Sequence, residues 1–267
     1  MPNDDPSTVL FIPHGGGPLP LLGDPRHRDL ISFLQRLPST IKKPSAILVI
    51  SAHWEEQVAT ITSNISPPLI YDYFGFPDEA YKIQYPAAGD PVLANKIAGL
   101  LTQHGIKANL DEQRGFDHGM FVPLKIMYPD AQIPCVQLSL VKGLDPQTHI
   151  DIGKALANLR NDNVLILGSG FSFHNLRELL SQTANIDDEK NKAFENWLIE
   201  TCTDENLSSH EREQRLIKWA EAPFARYCHP RVEHLLPLHI CYGCCETQSS
   251  LVFNEKILGK KASAYLW

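Results

Sequence analysis

Histidine is the residue type in this chain whose placement suggests chemistry. There are eleven in 267 residues, and three of them follow short apolar runs. His14 comes directly after Val9–Pro13. His53 comes two residues after Ala46–Ser51. His174 follows Val164–Leu167 across Gly168-Ser169-Gly170 and a Phe-Ser-Phe segment. Runs this short, rich in Val and Ile and bounded by Gly or Pro, predict buried strands. In an open α/β sheet the loops beyond the carboxyl ends of parallel strands form the ligand crevice. Three histidines far apart in the chain therefore converge at one end of the sheet. A lone histidine near a strand end is more often a hydrogen-bonded structural residue. Three together, each flanked by glycine or by Trp54, favour a site. Two more join them as candidates: His118, in the glycine-bounded turn Gly115-Phe116-Asp117-His118-Gly119, and His234, expected on a short late helix.

The chemistry that suits such a cluster is a non-haem divalent metal, because imidazole serves Fe(II), Zn(II), Cu(II) and Ni(II) alike. Histidines from separate loops also leave coordination positions open. Glu233, next to His234, is either a hydrogen-bonding partner or a ligand. As adjacent helix positions diverge by about 100°, the two are not expected to bind one ion. His27, His104, His149, His210 and His229 have polar or helix-surface surroundings and read as structural. His239, five residues after His234, is expected to point elsewhere.

Other catalytic frameworks are missing. There is no H-E-x-x-H, no G-x-x-x-x-G-K-[ST] and no G-x-G-x-x-G. His14-Gly15-Gly16-Gly17 lacks the Lys and Ser/Thr of a phosphate loop. Gly168-Ser169-Gly170 has the wrong spacing for a nucleophile elbow, so Ser169 reads as a turn residue.

The elements that must position the histidines alternate. Ile133–Leu138 adds a fourth strand. Pro91–Gln103 has a one-sided apolar pattern stopped by Gly105, and Asp145 caps a helix over Pro146–Arg160. Residues 189–219 are charged, with aromatics and leucines spaced for one or two helices, and Leu251–Phe253 with Ala262–Trp267 close the chain as strands. Strand–helix alternation predicts a single three-layer α/β domain over residues 1–267, with a largely parallel or mixed central sheet and helices on both faces. No repeat, low-complexity stretch or linker interrupts it.

Composition narrows the class. With 24 basic and 31 acidic residues the net charge is −7, and no Lys/Arg cluster creates a local footprint for nucleic acid. No apolar run reaches the roughly 18 residues of a membrane helix. The acidic start, with its very short apolar stretch, does not read as a signal peptide, so the expected location is cytoplasmic. Of six cysteines, Cys241, Cys244 and Cys245 form C-x-x-C-C without a second C-x-x-C, so neither a zinc ribbon nor a disulfide framework is expected.

Taken in order, several segments resemble the class III extradiol ring-cleavage dioxygenases, in the 4,5-DOPA-extradiol-dioxygenase-like branch related to the LigB subunit of protocatechuate 4,5-dioxygenase. They are Pro13-His14-Gly15-Gly16-Gly17-Pro18, Ser51-Ala52-His53-Trp54, Tyr71-Asp72-Tyr73-Phe74-Gly75-Phe76-Pro77, Tyr85-Pro86-Ala87, Gly115-Phe116-Asp117-His118-Gly119, Tyr128-Pro129-Asp130-Ala131, Gly168-Ser169-Gly170, His174-Asn175-Leu176 and Glu233-His234-Leu235-Leu236-Pro237-Leu238. They run from residue 9 to about 245. The first motif carries three glycines where some members have His-Gly-Ser, and residues 178–225 carry no motif of the family.

The resemblance implies that His14, His53 and His234 are metal ligands, with Glu233 as the alternative third ligand. It implies that His174 and His118 line the same pocket in acid–base roles, and that His174 can approach as a fourth ligand when zinc is bound. The implied cofactor is Fe(2+), with Zn(2+) possible in the same site. The implied substrates are O2 and a DOPA-like catechol, opened to a muconic semialdehyde. Asp117, beside His118, is expected to set its tautomer. A monomer or homodimer is expected. Two other readings stand beside this one: a zinc-dependent hydrolase using the same histidines, and a non-catalytic binding protein on the same fold.

Overall fold

The computed structural model describes residues 8–179 and 188–267. The acidic start of the chain, residues 1–7, lies outside them.

In chain order the strands are β1 (Val9–Pro13), β2 (Ala46–Glu56), β3 (Ala59–Thr62), β4 (Ala108–Asp111), β5 (Cys135–Val141), β6 (Val164–Gly170), β7 (Ser250–Ile257) and β8 (Lys260–Leu266). The helices are α1 (Arg28–Arg36), α2 (Pro91–Gln103), α3 (His118–Met127), α4 (Pro146–Leu156), α5 (Leu176–Leu179), α6 (Glu189–Thr203), α7 (Ser209–Ile217), α8 (Ala225–Cys228) and α9 (Leu236–Gly243). One eight-stranded sheet runs in the order β4-β3-β5-β2-β6-β1-β8-β7. The centre, β5-β2-β6-β1, is parallel, whereas β3 meets β5 antiparallel and β8 and β7 close the other edge antiparallel. The sheet is therefore mixed. Its central strands are buried along nearly their whole length, which is why they read as continuous apolar runs.

Neighbouring strand residues point to opposite faces, and β6 uses this to separate two helical layers. Ser169 donates a hydrogen bond to the Gly119 carbonyl of α3, while Gly168 lies against Pro237 and Cys241 of α9. Helices thus cover both faces, as the alternation predicts. Asp90 and Asp145 cap α2 and α4 by accepting from Leu93 N and Thr148 N, and the charged stretch forms two helices, α6 and α7.

Three expectations about local structure change. Strand β2 does not end at Ser51 but continues to Glu56, and its register with β5 jumps from Ile50↔Leu138 to Glu55↔Leu140. His53 lies in that irregular stretch. Strand β6 runs through Gly168-Ser169-Gly170, so this segment is a strand end rather than a loop. His234 precedes helix α9 in a turn, and the argument from adjacent helix positions does not apply to Glu233.

His104 and His210 are exposed, but His27, His149 and His229 are fully buried. Each holds backbone: His27 Nε2 accepts from Gly16 N, His149 Nε2 accepts from Val141 N, and His229 Nε2 meets the Ser172 carbonyl. Polar sequence neighbours hide this because the partners are distant in the chain. His239 is buried and bonded to the carbonyls of Leu235 and Leu216. All six cysteines are free, and burial pushes the Cys241 and Cys244 thiols up.

Glu195 of α6 is buried, and its Oε2 accepts from the Ser263 hydroxyl of β8. Burial raises its carboxyl from 4.5 to about 7, against the lowering effect of Ser172, Ser263 and Lys261. Between those pH values the unfolded chain ionises while the folded one stays protonated, so stability falls as pH rises. The loss is on the order of 3 kcal/mol across this window. Glu195→Gln should remove it. Urea unfolding at pH 4.5 and pH 7.5 checks this: the variant should gain on the parent at the higher pH, and an equal difference at both pH values would contradict it.

Candidate metal centre

Because β1, β2 and β6 are parallel neighbours, their carboxyl ends share one edge of the sheet. Strands β1 and β2 each deliver a histidine there, and the end of β6 receives a third from a later turn. His14 leaves β1 with its backbone N–H bonded to the Gly170 carbonyl. The chain then turns sharply at Gly15, which sits at φ +85° with a Cβ position only 2.8 Å from Pro20 and 3.0 Å from His27. A side chain there would be strained by the backbone and would clash. His53 is aimed by the irregular stretch of β2, where its N–H bonds Ser51 Oγ, which in turn donates to Asp117 at 2.7 Å. His234 is brought in by contact between chains of backbone: the Phe171 N–H bonds the His234 carbonyl, and a Cβ at Gly170 would lie 2.1 Å from that oxygen.

The three rings converge. His14 Nε2 and His53 Nε2 are 3.1 Å apart, and His53 Nε2 and His234 Nε2 are 3.3 Å apart. The three form a group whose donor atoms all lie within 4.8 Å of one another. Their opposite nitrogens are engaged. The Ser169 hydroxyl gives its proton to Gly119, so Ser169 Oγ is left to accept from His14 Nδ1–H at 3.2 Å. Glu233 Oε1 accepts from His234 Nδ1–H at 2.9 Å. Asp72 Oδ2 lies 3.6 Å from His53 Nδ1. With the proton on Nδ1, each Nε2 presents a bare lone pair.

Electrostatics keep these rings neutral. Burial, then the neighbouring His53, His118 and His174, holds His14 well below its ordinary value. Burial lowers His53 and His234 in the same way, with further lowering from neighbouring histidines. Three neutral imidazoles, each protonated at Nδ1, repel where their Nε2 lone pairs face one another. A cation between them removes this repulsion. Nitrogens bound at about 2.1 Å to one ion, at right to tetrahedral angles, lie roughly 3.0–3.4 Å apart. The observed spacings match, so the donor set is suited to a divalent ion.

Two further histidines border this group. The His118 ring lies 3.9 Å from the His53 ring, and its Nδ1 and backbone N both bond Asp72 Oδ1, at 2.8 and 3.0 Å. Asp117 does not orient it. The Asp117 carboxylate is taken up by Ser51, Gln137 and Arg114, and burial raises it. Asp72 does the work instead. Burial raises its carboxyl, but His118 and His53 outweigh this and bring it to about 2. His174 stacks on His234, with ring centroids 3.3 Å apart and planes 17° from parallel, and its Nδ1 is 3.1 Å from Glu233 Oε1. Glu233 thus meets the Nδ1 side of both rings. Burial pushes its carboxyl up, yet His174 and Arg231 hold it below the usual range. His174, Glu233 and His234 form a second close group, and His53, Asp72 and His118 a third.

The reading of the sequence missed three residues that shape this site. Asp72 was visible inside Tyr71-Asp72-Tyr73, and a lone carboxylate among aromatics is the signal that could have found it. His27 and Ser169 gave no such signal. All five clustered histidines line a cavity of about 780 Å³.

The chain is similar to several known proteins over nearly its whole length. Residues 9–265 match the family model described as the catalytic LigB subunit of aromatic ring-opening dioxygenase. "Dioxygenase tasH" of Hapsidospora irregularis is 38% identical, covering 98% of this chain and 85% of that protein. The "4,5-DOPA dioxygenase extradiol" of Beta vulgaris is 37% identical, over 94% of this chain and 92% of its own. The crystal structure of the uncharacterized protein JW3007 from Escherichia coli K12 superposes with a TM-score of 0.77 at 28% identity, covering 97% of this chain and 99% of that one. With the match extending from β1 to β8 and through every histidine of the cluster, this chain belongs to the LigB family of aromatic ring-opening dioxygenases.

Proposed function

We propose that this protein is an extradiol dioxygenase that opens the ring of a catechol, inserting both atoms of O2 to give a muconic semialdehyde. The observation that supports this most is the convergence of three bare Nε2 atoms at the floor of a cavity bordered by two further histidines. His14, His53 and His234 would hold the metal, Fe(2+) for the oxygen chemistry, although the same donors suit Zn(2+). The bound ion would lower the pKa of a catechol hydroxyl and provide open positions for substrate and O2.

The remaining steps belong to the side chains. His174 donates Nδ1–H to Glu233, so its Nε2 is free to take the proton from a catechol hydroxyl. The positive charge that results is balanced by Glu233 through the same hydrogen bond. On the other side His118 is held by Asp72 in the same manner, with Nδ1–H on the carboxylate. Each histidine can later return a proton to an oxygen of the opening ring. DOPA, named in several relatives, is the reference catechol for testing.

Anaerobic loading with Fe(2+), followed by a catechol panel and O2, should give a yellow semialdehyde with stoichiometric oxygen uptake. Hydrolysis of esters or amides by a zinc-loaded sample, without oxygen uptake on any catechol, would favour the hydrolase instead.

Two variants separate holding the metal from moving protons. His14→Ala should lose metal and activity together. His174→Ala should keep most of the iron while turnover falls roughly 10²–10⁴-fold, the usual size of acid–base assistance. Iron per chain by elemental analysis, beside oxygen uptake, measures both. Equal iron loss would make His174 a ligand and move the proton role to His118.

Asp72 faces both His53 and His118. Removing a carboxylate that orients a ligand typically costs 10–100-fold in metal affinity or activity. Asp72→Ala should release iron to a chelator faster than the parent and turn over more slowly, with Asp72→Asn in between. Parent-like chelator resistance and turnover in Asp72→Ala would remove Asp72 from this role.

A further inference from the structure

Beyond the histidines, the cavity has a wall with a definite chemical character. Leu19 and Leu258 stand on one side, and Tyr73, Phe74 and Phe76 on another. Leu176 adds a rim from α5, two residues after His174. Tyr73 presents its ring rather than its hydroxyl, which donates to the Ala80 carbonyl at 2.6 Å. Phe74 is 91% exposed and Leu176 57% exposed, so large apolar groups stand uncovered at the mouth. Exposed apolar patches of this kind, next to a polar site, mark binding surfaces.

The charges around the cavity are already paired. Arg26 is bonded to Asp24 through Nε and a terminal nitrogen, at 2.6–3.2 Å. Arg231 is 2.6 Å from Glu55 and 3.6 Å from Glu233. Asp72 is occupied by His118 and His53. A carboxylate or ammonium on the substrate would have to share Arg26, Arg231 or Asp72 with the partners already on them. An apolar substituent competes with none of them. It also fills space, because a cavity of about 780 Å³ is far larger than one catechol ring needs.

We infer that the preferred substrate is a catechol bearing an apolar alkyl or aryl arm, bound along Phe74, Phe76, Leu176 and Leu258, rather than one bearing a zwitterionic amino-acid arm. The inference rests on the ring-opening reading for the position of the two hydroxyls at the histidines, and on the wall for everything else. Each methylene buried there strengthens binding roughly fourfold.

The experiment has a binding arm and a turnover arm. Anaerobic calorimetry with the Fe(2+)-loaded protein compares catechol, 4-hexylcatechol, dopamine and DOPA. Oxygen uptake then gives kcat/KM for the same four. 4-Hexylcatechol should bind at least tenfold tighter than DOPA and lead in kcat/KM. Phe74→Ser and Leu176→Asp, both at exposed positions, should reduce the ratio of 4-hexylcatechol to catechol binding by several fold. Equal or tighter binding of DOPA or dopamine, or ratios unmoved in both variants, would overturn the apolar arm and leave ring opening standing. Selective binding of 4-hexylcatechol with no oxygen uptake on any of the four would overturn ring opening and leave the apolar subsite standing. Absence of binding by all four would overturn both.

Discussion

Three imidazole nitrogens with unshared lone pairs face one another at 3.1 and 3.3 Å, inside the protein. This is an unfavourable arrangement for neutral rings, and burial opposes the protonation that would relieve it. Everything around the cluster keeps the rings in it. Ser169, Glu233 and Asp72 each approach an Nδ1 nitrogen from behind. Glu233 and Asp72 each hold a second histidine as well, His174 and His118. On the proposed reading a divalent cation offsets the repulsion between the lone pairs. This is the usual logic of preorganised metal sites, where the outer contacts fix both tautomer and direction.

The sheet makes the convergence possible. Strand β6 lies between β1 and β2, so three carboxyl ends meet within the width of three strands, about 10 Å. The fourth histidine, His234, comes from more than 60 residues further on, and its placement depends on Gly170. There the backbone of the late turn sits against β6 so closely that a side chain would occupy the same space. The same residue thus ends a strand and admits the loop that completes the histidine cluster. His27 has a similar task from outside: it receives the N–H of Gly16 and fills the space beside Gly15, fixing the turn that follows His14.

Much of this was legible in the sequence. Strand ends are marked by abrupt changes from Val and Ile to Gly or His, and the crevice rule turns those marks into a site; His14, His53 and His174 were found in this way. The wider identification came from motif order, since no periodicity points to His234. What stayed hidden has a common cause. The bulge that aims His53 is a register shift between β2 and β5, and register is a property of two strands. Asp72, Ser169 and the buried histidines act on partners 8 to 155 residues away. Asp117 misled the reading because it is adjacent to His118 in the chain, yet adjacent side chains diverge at the start of a helix. A hydrogen bond from the non-local Asp72 takes the ring instead.

The two ends of the cavity obey different physics, and this divides their tolerance to substitution. At the floor the histidines share acceptors such as Glu233 and Asp72, so a single substitution disturbs several others. At the mouth, Phe74 and Leu176 have few such obligations and are largely exposed. A change there alters contact area and shape without leaving a buried group unpaired. Such positions can vary at small cost in stability. On the proposed reading, the chemistry of ring opening is therefore tied to the sheet, while the choice of catechol is carried by side chains that the sheet does not need.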